Sequence, residues 1–187
     1  MEQVKTIMEA GLVILNGPID DNVASEVCLA LLQIEAENEG KPITLMINSP
    51  GGSIQAGWQI CDTIEMIGNV EVICTALAAS MAALVLMAGY RRTILPHAKV
   101  LLHQPLAGAS LQQASDFEIT CRELSRTRDE VYRYICEHTG KSLAQVTEDC
   151  DRDHWLSAQE ALDYGIVDKI VYPDDRDEGP IYLGGNI

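Results

Sequence analysis

Basic residues are scarce in this 187-residue chain: 13 Lys and Arg stand against 28 Asp and Glu, a formal net charge of −15. Nucleic acid is thereby excluded as an expected partner, because phosphate binding needs clustered cations. No CxxC pair occurs among Cys28, Cys61, Cys74, Cys121, Cys136 and Cys150, so the spacing expected of a cysteine metal site is absent. Free, buried thiols in a reducing compartment are expected instead. The start, Met1-Glu2-Gln3-Val4-Lys5, lacks a basic stretch followed by an apolar one, so no secretory signal is read there. Internal repeats and low-complexity linkers are also missing.

One long stretch, Val72–Tyr90, carries no charged side chain. About 20 apolar residues suffice to span a bilayer. Here, however, alanines, Thr75, Ser80 and Gly89 dilute the run. Its first part is β-branched and its later part is Ala/Leu/Met, which predicts a strand, a turn and a helix.

At this length one domain, residues 1–187, with a substantial core is the simplest expectation. Short apolar strands are predicted at Leu12–Leu15, Ile43–Ile47, Val70–Thr75, Thr93–Leu95, Lys99–Leu102 and Ile166–Val171. Between them, helical spacing runs from Asp20 or Asp21 to Glu37, over Ile54–Ile67, Met81–Ala88 and Leu111–His138, and in short pieces at Leu143–Glu148 and Ala158–Tyr164. The alternation predicts a mostly parallel α/β sheet with covered faces. Leu111–His138 is long for such a domain and predicts a projecting helix that seeks a partner. Residues 1–11 read as a short N-terminal segment and 173–187 as a mobile tail.

Ser80, alone in its apolar run, sits where the strand should turn into a helix. A serine hydroxyl needs a neighbouring base to act as a nucleophile. Of the four histidines, His103 alone ends an apolar strand, and strand ends build sites in parallel sheets. A buried structural imidazole is an equal reading of the same position. The orienting carboxylate is left open among Asp149, Asp151 and Asp153. Gly51-Gly52 reads either as an ordinary tight turn or as a source of an amide facing an oxyanion, with the Met81 amide as the second donor.

Taken together, Gly17-Pro18-Ile19-Asp20-Asp21, Asn48-Ser49-Pro50-Gly51-Gly52, Ala78-Ala79-Ser80-Met81, His103-Gln104-Pro105 and Asp151-Arg152-Asp153-His154-Trp155 resemble motifs of the Clp protease proteolytic-subunit (ClpP) family. The likeness runs from about Leu12 to Val171. It implies a crotonase-like α/β spiral of βα units and a serine endopeptidase with Ser80 as nucleophile, His103 as base and Asp153 as orienting carboxylate. It further implies oxyanion donors at Gly51 and Met81, and backbone pairing with an extended substrate at Ser53, Ile54 and Leu106. Asp151 and Arg152 match a contact between rings. The implied assembly is two stacked heptameric rings, a tetradecamer in the cytoplasm. Its partners would be an AAA+ Clp unfoldase and unfolded polypeptides, with a second proteolytic subunit as a further partner. No cofactor is expected, since the unfoldase uses the ATP. Membrane and metal are not expected either.

The chain departs from the family at several points. The segment before the first strand is short, Met46 and Met66 stand where Tyr and Phe are common in the unfoldase-binding pocket, and Ala76, Leu77 and Ala82 replace residues often seen as Gly, Gln and Gly. Competing readings are a ring subunit that only supports active partners, and an acyl-CoA enzyme of the same fold.

Overall fold

The computed structural model describes residues 4–7, 10–37, 40–106 and 113–172. The expected tail at 173–187 and the predicted start of the long helix at Leu111 lie outside them.

Strand β1 (Val4–Ile7) pairs antiparallel with β2 (Leu12–Asn16). Parallel strands follow: β3 (Ile43–Ser49) on β2, β4 (Val70–Ala79) on β3, β5 (Arg91–Ile94) on β4, and β8 (Lys169–Ile170) on β5. β6 (Lys99–Leu102) also pairs parallel with β4 and carries β7 (His154–Ser157) antiparallel. The sheet is thus mixed and eight-stranded among the described residues, an α/β architecture as predicted. β1 and β7 go beyond the predicted strands.

Helix α1 (Asp21–Glu37) starts at Asp20, whose carboxylate accepts the Asn22 and Val23 amides at 3.0 and 2.9 Å. This satisfies amides that a helix start leaves unpaired. Its buried stripe is Val23, Val27, Leu31 and Ile34, the spacing of one helix face. α2 (Ile54–Ile67) is capped by the Ser53 hydroxyl and ends at Gly68 in the left-handed region (φ 79°), where a side chain would be strained. α3 (Met81–Met87) is buried throughout. Together α1, α2 and α3 cover one face of β2–β4 and form one apolar core with Leu15, Leu45, Ile47, Val72 and Cys74.

Helix α4 (Ala114–Thr139) is about 39 Å long at 1.5 Å per residue. Its buried side chains, Val131, Tyr132 and Ile135, all lie toward its C-terminal end, while Phe117 and Ile119 are exposed. The N-terminal half therefore projects, as the sequence predicted. α5 (Leu143–Asp149) and α6 (Ala158–Tyr164) are the remaining helices among the described residues, α6 starting in a reciprocal Ser157–Glu160 capping box. Arg92 ties the periphery together: it pairs with Asp168 and donates to the carbonyls of His138 and Gly165 at 3.0 and 3.2 Å.

Candidate active site

β4 forks. Its first half, Glu71–Cys74, pairs with β5; its second half, Leu77–Ala79, pairs with β6. The change of partner falls at a register shift against β3, between the pairs Ile47↔Cys74 and Ser49↔Ala78. There the Thr75 hydroxyl donates to the Ile47 carbonyl at 3.0 Å, occupying an acceptor where the ladder is disrupted. Such bulges re-aim the residues beyond them. The predicted strand stopped at Thr75; the observed one continues to Ala79 and delivers Ser80 to the C-terminal edge of the sheet.

Ser80 joins β4 to α3 with φ 54° and ψ −125°, and among the described residues it is the only non-glycine with positive φ. A residue of this kind is held only when its surroundings over-determine it. The Ser80 amide donates to Leu101 O at 2.8 Å, and its carbonyl accepts Ala83 N at 2.9 Å. Its hydroxyl makes no capping bond to α3 and no hydrogen bond among the described residues. The strained strand-to-helix turn that exposes a hydroxyl is the geometry of a nucleophile elbow.

His103 follows β6, the neighbour of β4, so both residues emerge at the same sheet edge. They line one cleft with Ile54, Met81, Leu84, Leu102, Pro105, Val131 and Ile135. The wall is apolar, and α4 supplies part of it. His103 Nδ1 lies 2.7 Å from Gln104 O. A carbonyl can only accept, so in this contact Nδ1 carries the proton and Nε2 keeps its lone pair. That is the tautomer a general base requires.

Two of the three candidate acids are committed elsewhere. Asp149 accepts the Tyr164 hydroxyl at 2.8 Å and the Gln145 amide at 2.9 Å. Burial and Asp149 together push the Tyr164 phenol upward. Asp151 lies 3.7 Å from its neighbour Arg152, and both side chains are exposed. The β6–β7 ladder ends where Leu102 pairs with His154, so His103 and Asp153 are the residues that adjoin that last pair on the two chains. Asp153 is exposed and makes no hydrogen bond or ion pair among the described residues. Backbones also meet here, with Gln104 N donating to Cys150 O at 2.9 Å and the Gln104 side chain to Asp151 O at 3.1 Å.

The glycine turn packs against the elbow. A Cβ on Gly51 would lie 2.5 Å from Ala79 O, 2.9 Å from Met81 N and 2.9 Å from the Ser80 Cβ, so only glycine fits this approach. The Gly51 amide, expected as an oxyanion donor, is bonded to the Ser49 hydroxyl at 3.1 Å. Ile19 lies alongside: its amide donates to Gly51 O at 2.9 Å and its carbonyl accepts Ser53 N at 2.8 Å. In this parallel bridge Ile19 faces Gly52, whose own amide therefore points away from Ile19 and has no acceptor among the described residues. The Met81 amide likewise has none.

The Ser53 amide goes to Ile19, its carbonyl accepts Gly57 N at 3.0 Å and its hydroxyl caps α2. Ile54 borders the cleft, and Leu106 is 80% exposed just beyond it. Four thiols are buried as expected; Cys121 is exposed and Cys136 half-buried. Burial pushes Cys74 and Cys150 up to about 12, which makes them poor nucleophiles. Among the described residues no His, Cys, Asp or Glu group is arranged to hold a metal, and no helix is long and apolar enough to cross a membrane. Met46 is half-buried on β3, and Met66 is 70% exposed at the end of α2. Sequence reasoning left Ser49, Thr75 and Gln104 without a role; the first and the last lie inside motifs already singled out.

The family model for Clp protease matches residues 1–174. The ATP-dependent Clp protease proteolytic subunit of Porphyromonas gingivalis is 45% identical over 174 residues, covering 91% of this chain and 78% of the relative. That of Bacteroides fragilis is 44% identical over 168 residues, 88% of this chain and 81% of the relative. Proteolytic subunit 3 of Parasynechococcus marenigrum is 42% identical over 163 residues, 86% and 82%.

Proposed function

The chain belongs to the Clp protease family, a family of serine endopeptidases, and from that premise we propose that Ser80 is its nucleophile, His103 its general base and Asp153 the carboxylate that orients and stabilises the imidazole. The observation that carries this reading is the strained Ser80 turn opening on the same cleft as His103.

On this reading His103 Nε2 takes the Ser80 proton as Oγ bonds to the scissile carbonyl carbon. The oxyanion that forms faces the Met81 amide and the glycine turn. Within that turn the amide left without an acceptor is that of Gly52, since Gly51 is engaged by Ser49. Collapse breaks the C–N bond, the imidazolium gives its proton to the leaving amine, and an acyl-Ser80 ester remains. Water then attacks the ester with His103 again as base. The apolar cleft of Leu84, Leu102, Val131 and Ile135 suits an apolar substrate side chain next to the cleaved bond, while Ile54 and Leu106 are positioned to border an extended backbone.

The name its relatives carry supports association with a Clp ATPase. The reading extends to a cytoplasmic tetradecamer of two heptameric rings fed with unfolded polypeptide by an AAA+ unfoldase. Asp151 and Arg152 then form contacts between rings, a second proteolytic subunit is a candidate ring partner, and the chain holds no cofactor of its own.

The test is a fluorophosphonate probe on the assembled full chain. Labelling at Ser80, lost in Ser80→Ala together with peptide turnover, supports the assignment. Turnover at the wild-type rate in Ser80→Ala, or labelling of another residue, overturns it.

A further inference from the structure

Ser49 has no part in the mechanism above, yet its environment is unusual. It is 0% exposed at the end of β3, one of few buried polar residues in the core. Its hydroxyl accepts the Gly51 amide at 3.1 Å, two residues along, closing a hydroxyl-centred turn. The register shift against β4 begins at the same residue, which pairs with Ala78 just before the elbow. The turn is therefore fixed at three points: Ser49 holds its first amide, Ile19 holds the Gly51 carbonyl and the Ser53 amide, and the elbow closes on Gly51 from the third side.

We propose that Ser49 is a positioning residue for oxyanion stabilisation: its hydroxyl fixes the Gly51 peptide so that the next amide, Gly52, is aimed at the reacting carbonyl. This rests on the serine-peptidase reading of the same site. The physical argument is one of choice between two donors. Gly51 and Gly52 tolerate nearly every backbone conformation, so the motif by itself does not decide which amide faces the substrate. Two contacts decide it: Ile19 holds the Gly51 carbonyl, which shares a rigid peptide with the Gly52 amide, and Ser49 satisfies the Gly51 amide of the preceding peptide in the interior. Without the Ser49 acceptor a buried amide is orphaned, and the Pro50–Gly51 peptide turns toward another partner. That rotation changes the Gly51 backbone angles and pulls on the Ile19 contact, which displaces the Gly52 amide. A preorganised donor acts only when already aimed, so the effect falls on the chemical step.

The expected signature is specific. Removing one oxyanion donor outright lowers kcat by about 10²–10³; loosening one through a turn should lower it about tenfold. Ser49→Ala and the nearly isosteric Ser49→Cys, whose thiol is a weak acceptor, are assembled as full chains and titrated with a fluorophosphonate. Turnover of a fluorogenic peptide is then expressed per labelled site, and a peptide boronate, which forms a tetrahedral adduct, is measured as inhibitor. The expected result is a fall of about tenfold in kcat per site with KM within twofold, matched by an equal weakening of the boronate. If Ser49→Ala yields no labelled sites, Ser49→Cys carries the test. Unchanged kcat per labelled site overturns the proposal, as does a loss that appears in KM alone. Absence of labelling in the wild-type assembly would instead overturn the underlying peptidase reading.

Discussion

Replacing Asp153 with Asn tests the least settled part of the site. In the trypsin-type triad the same change lowers kcat by about 10⁴, because the amide imposes the wrong imidazole tautomer. Here the tautomer has a second guardian: His103 Nδ1 is already held by the Gln104 carbonyl at 2.7 Å, and that carbonyl belongs to the backbone. Asp153→Asn should leave it in place. What is lost is the carboxylate's stabilisation of the imidazolium. With the Nδ1 proton already donated to Gln104 O, that stabilisation is Coulombic, about 1 kcal/mol under full solvent screening and up to about 3 kcal/mol where the cleft screens less, a factor of roughly 5 to 150 in rate.

The assay is peptide turnover per fluorophosphonate-titrated site, for Asp153→Asn and Asp153→Ala side by side. Both variants should fall by about the same factor, between roughly 5 and 150, because both remove the same charge. If Asn falls by about 10⁴ and further than Ala, the tautomer depends on Asp153 and the Gln104 contact does not persist in the working enzyme. If neither variant loses more than threefold, Asp153 is not the orienting group. Asp149 is no substitute, since Tyr164 and Gln145 already occupy its carboxylate.

Gly51→Ala should abolish turnover while Gly40→Ala has little effect on activity, because a Cβ at Gly51 strikes Ala79 O at 2.5 Å whereas the one at Gly40 meets nothing within 4 Å; equal activity in the two variants would refute the close approach. Glu71 is buried on β4, between β3 and β5, with one carboxylate oxygen unpartnered among the described residues, and desolvation raises its pKa against the opposing pull of Arg91. A carboxyl whose folded pKa is raised stabilises the fold most below its unfolded pKa, and that stability is lost as pH rises through the raised value. Glu71→Gln should therefore melt higher than wild type at pH 7, with the gap closing toward pH 4; a lower melting point at pH 7 would show that pairing with Arg91 prevails. Arg152 is 93% exposed and its contact with Asp151 is solvent-screened within one chain, so Arg152→Ala should leave subunit stability within about 0.5 kcal/mol. If the pair contacts the opposite ring, native mass spectrometry will show smaller particles of low turnover; an intact, fully active assembly would remove these residues from the ring contact.

Where hydrophobic period and end signals agree, the fold is legible in the sequence. α2 spans Ile54–Ile67 as predicted, between a serine cap and a glycine that reverses the chain, and β6 spans Lys99–Leu102. The misses share a cause. Ala76–Ala79 has low strand propensity and reads as the approach to a helix, yet it is strand because β6 offers it a second ladder after the bulge. His154–Ser157 shows no clear alternation and becomes β7 only through its register with β6. Both segments are decided by a neighbour far away in the chain, which a local window does not contain. The projecting half of α4 was legible for the opposite reason: its length exceeds what one small core can cover.

The candidate site divides along the line between side chains and backbone. Ser80 and His103 were legible because each is a chemically distinctive side chain at the end of an apolar strand, and the structure brings both to one cleft. Which glycine amide is free was not, because every residue but proline carries the same amide and only its partners distinguish one from the next. Gly51 loses its amide to Ser49, Ser53 loses both backbone groups to Ile19 and Gly57, and His103 finds the carbonyl of the following residue. These bonds use the most generic atoms in the chain, and they determine where the distinctive ones point. The motif Asn48-Ser49-Pro50-Gly51-Gly52 is therefore best understood as a unit in which a serine and two glycines act together. Both glycines are needed for the close approach, since a Cβ on Gly51 strikes Ala79 O and one on Gly52 strikes Ile19 O, and Ser49 takes up the Gly51 amide so that the Gly52 amide is the one left without an acceptor among the described residues.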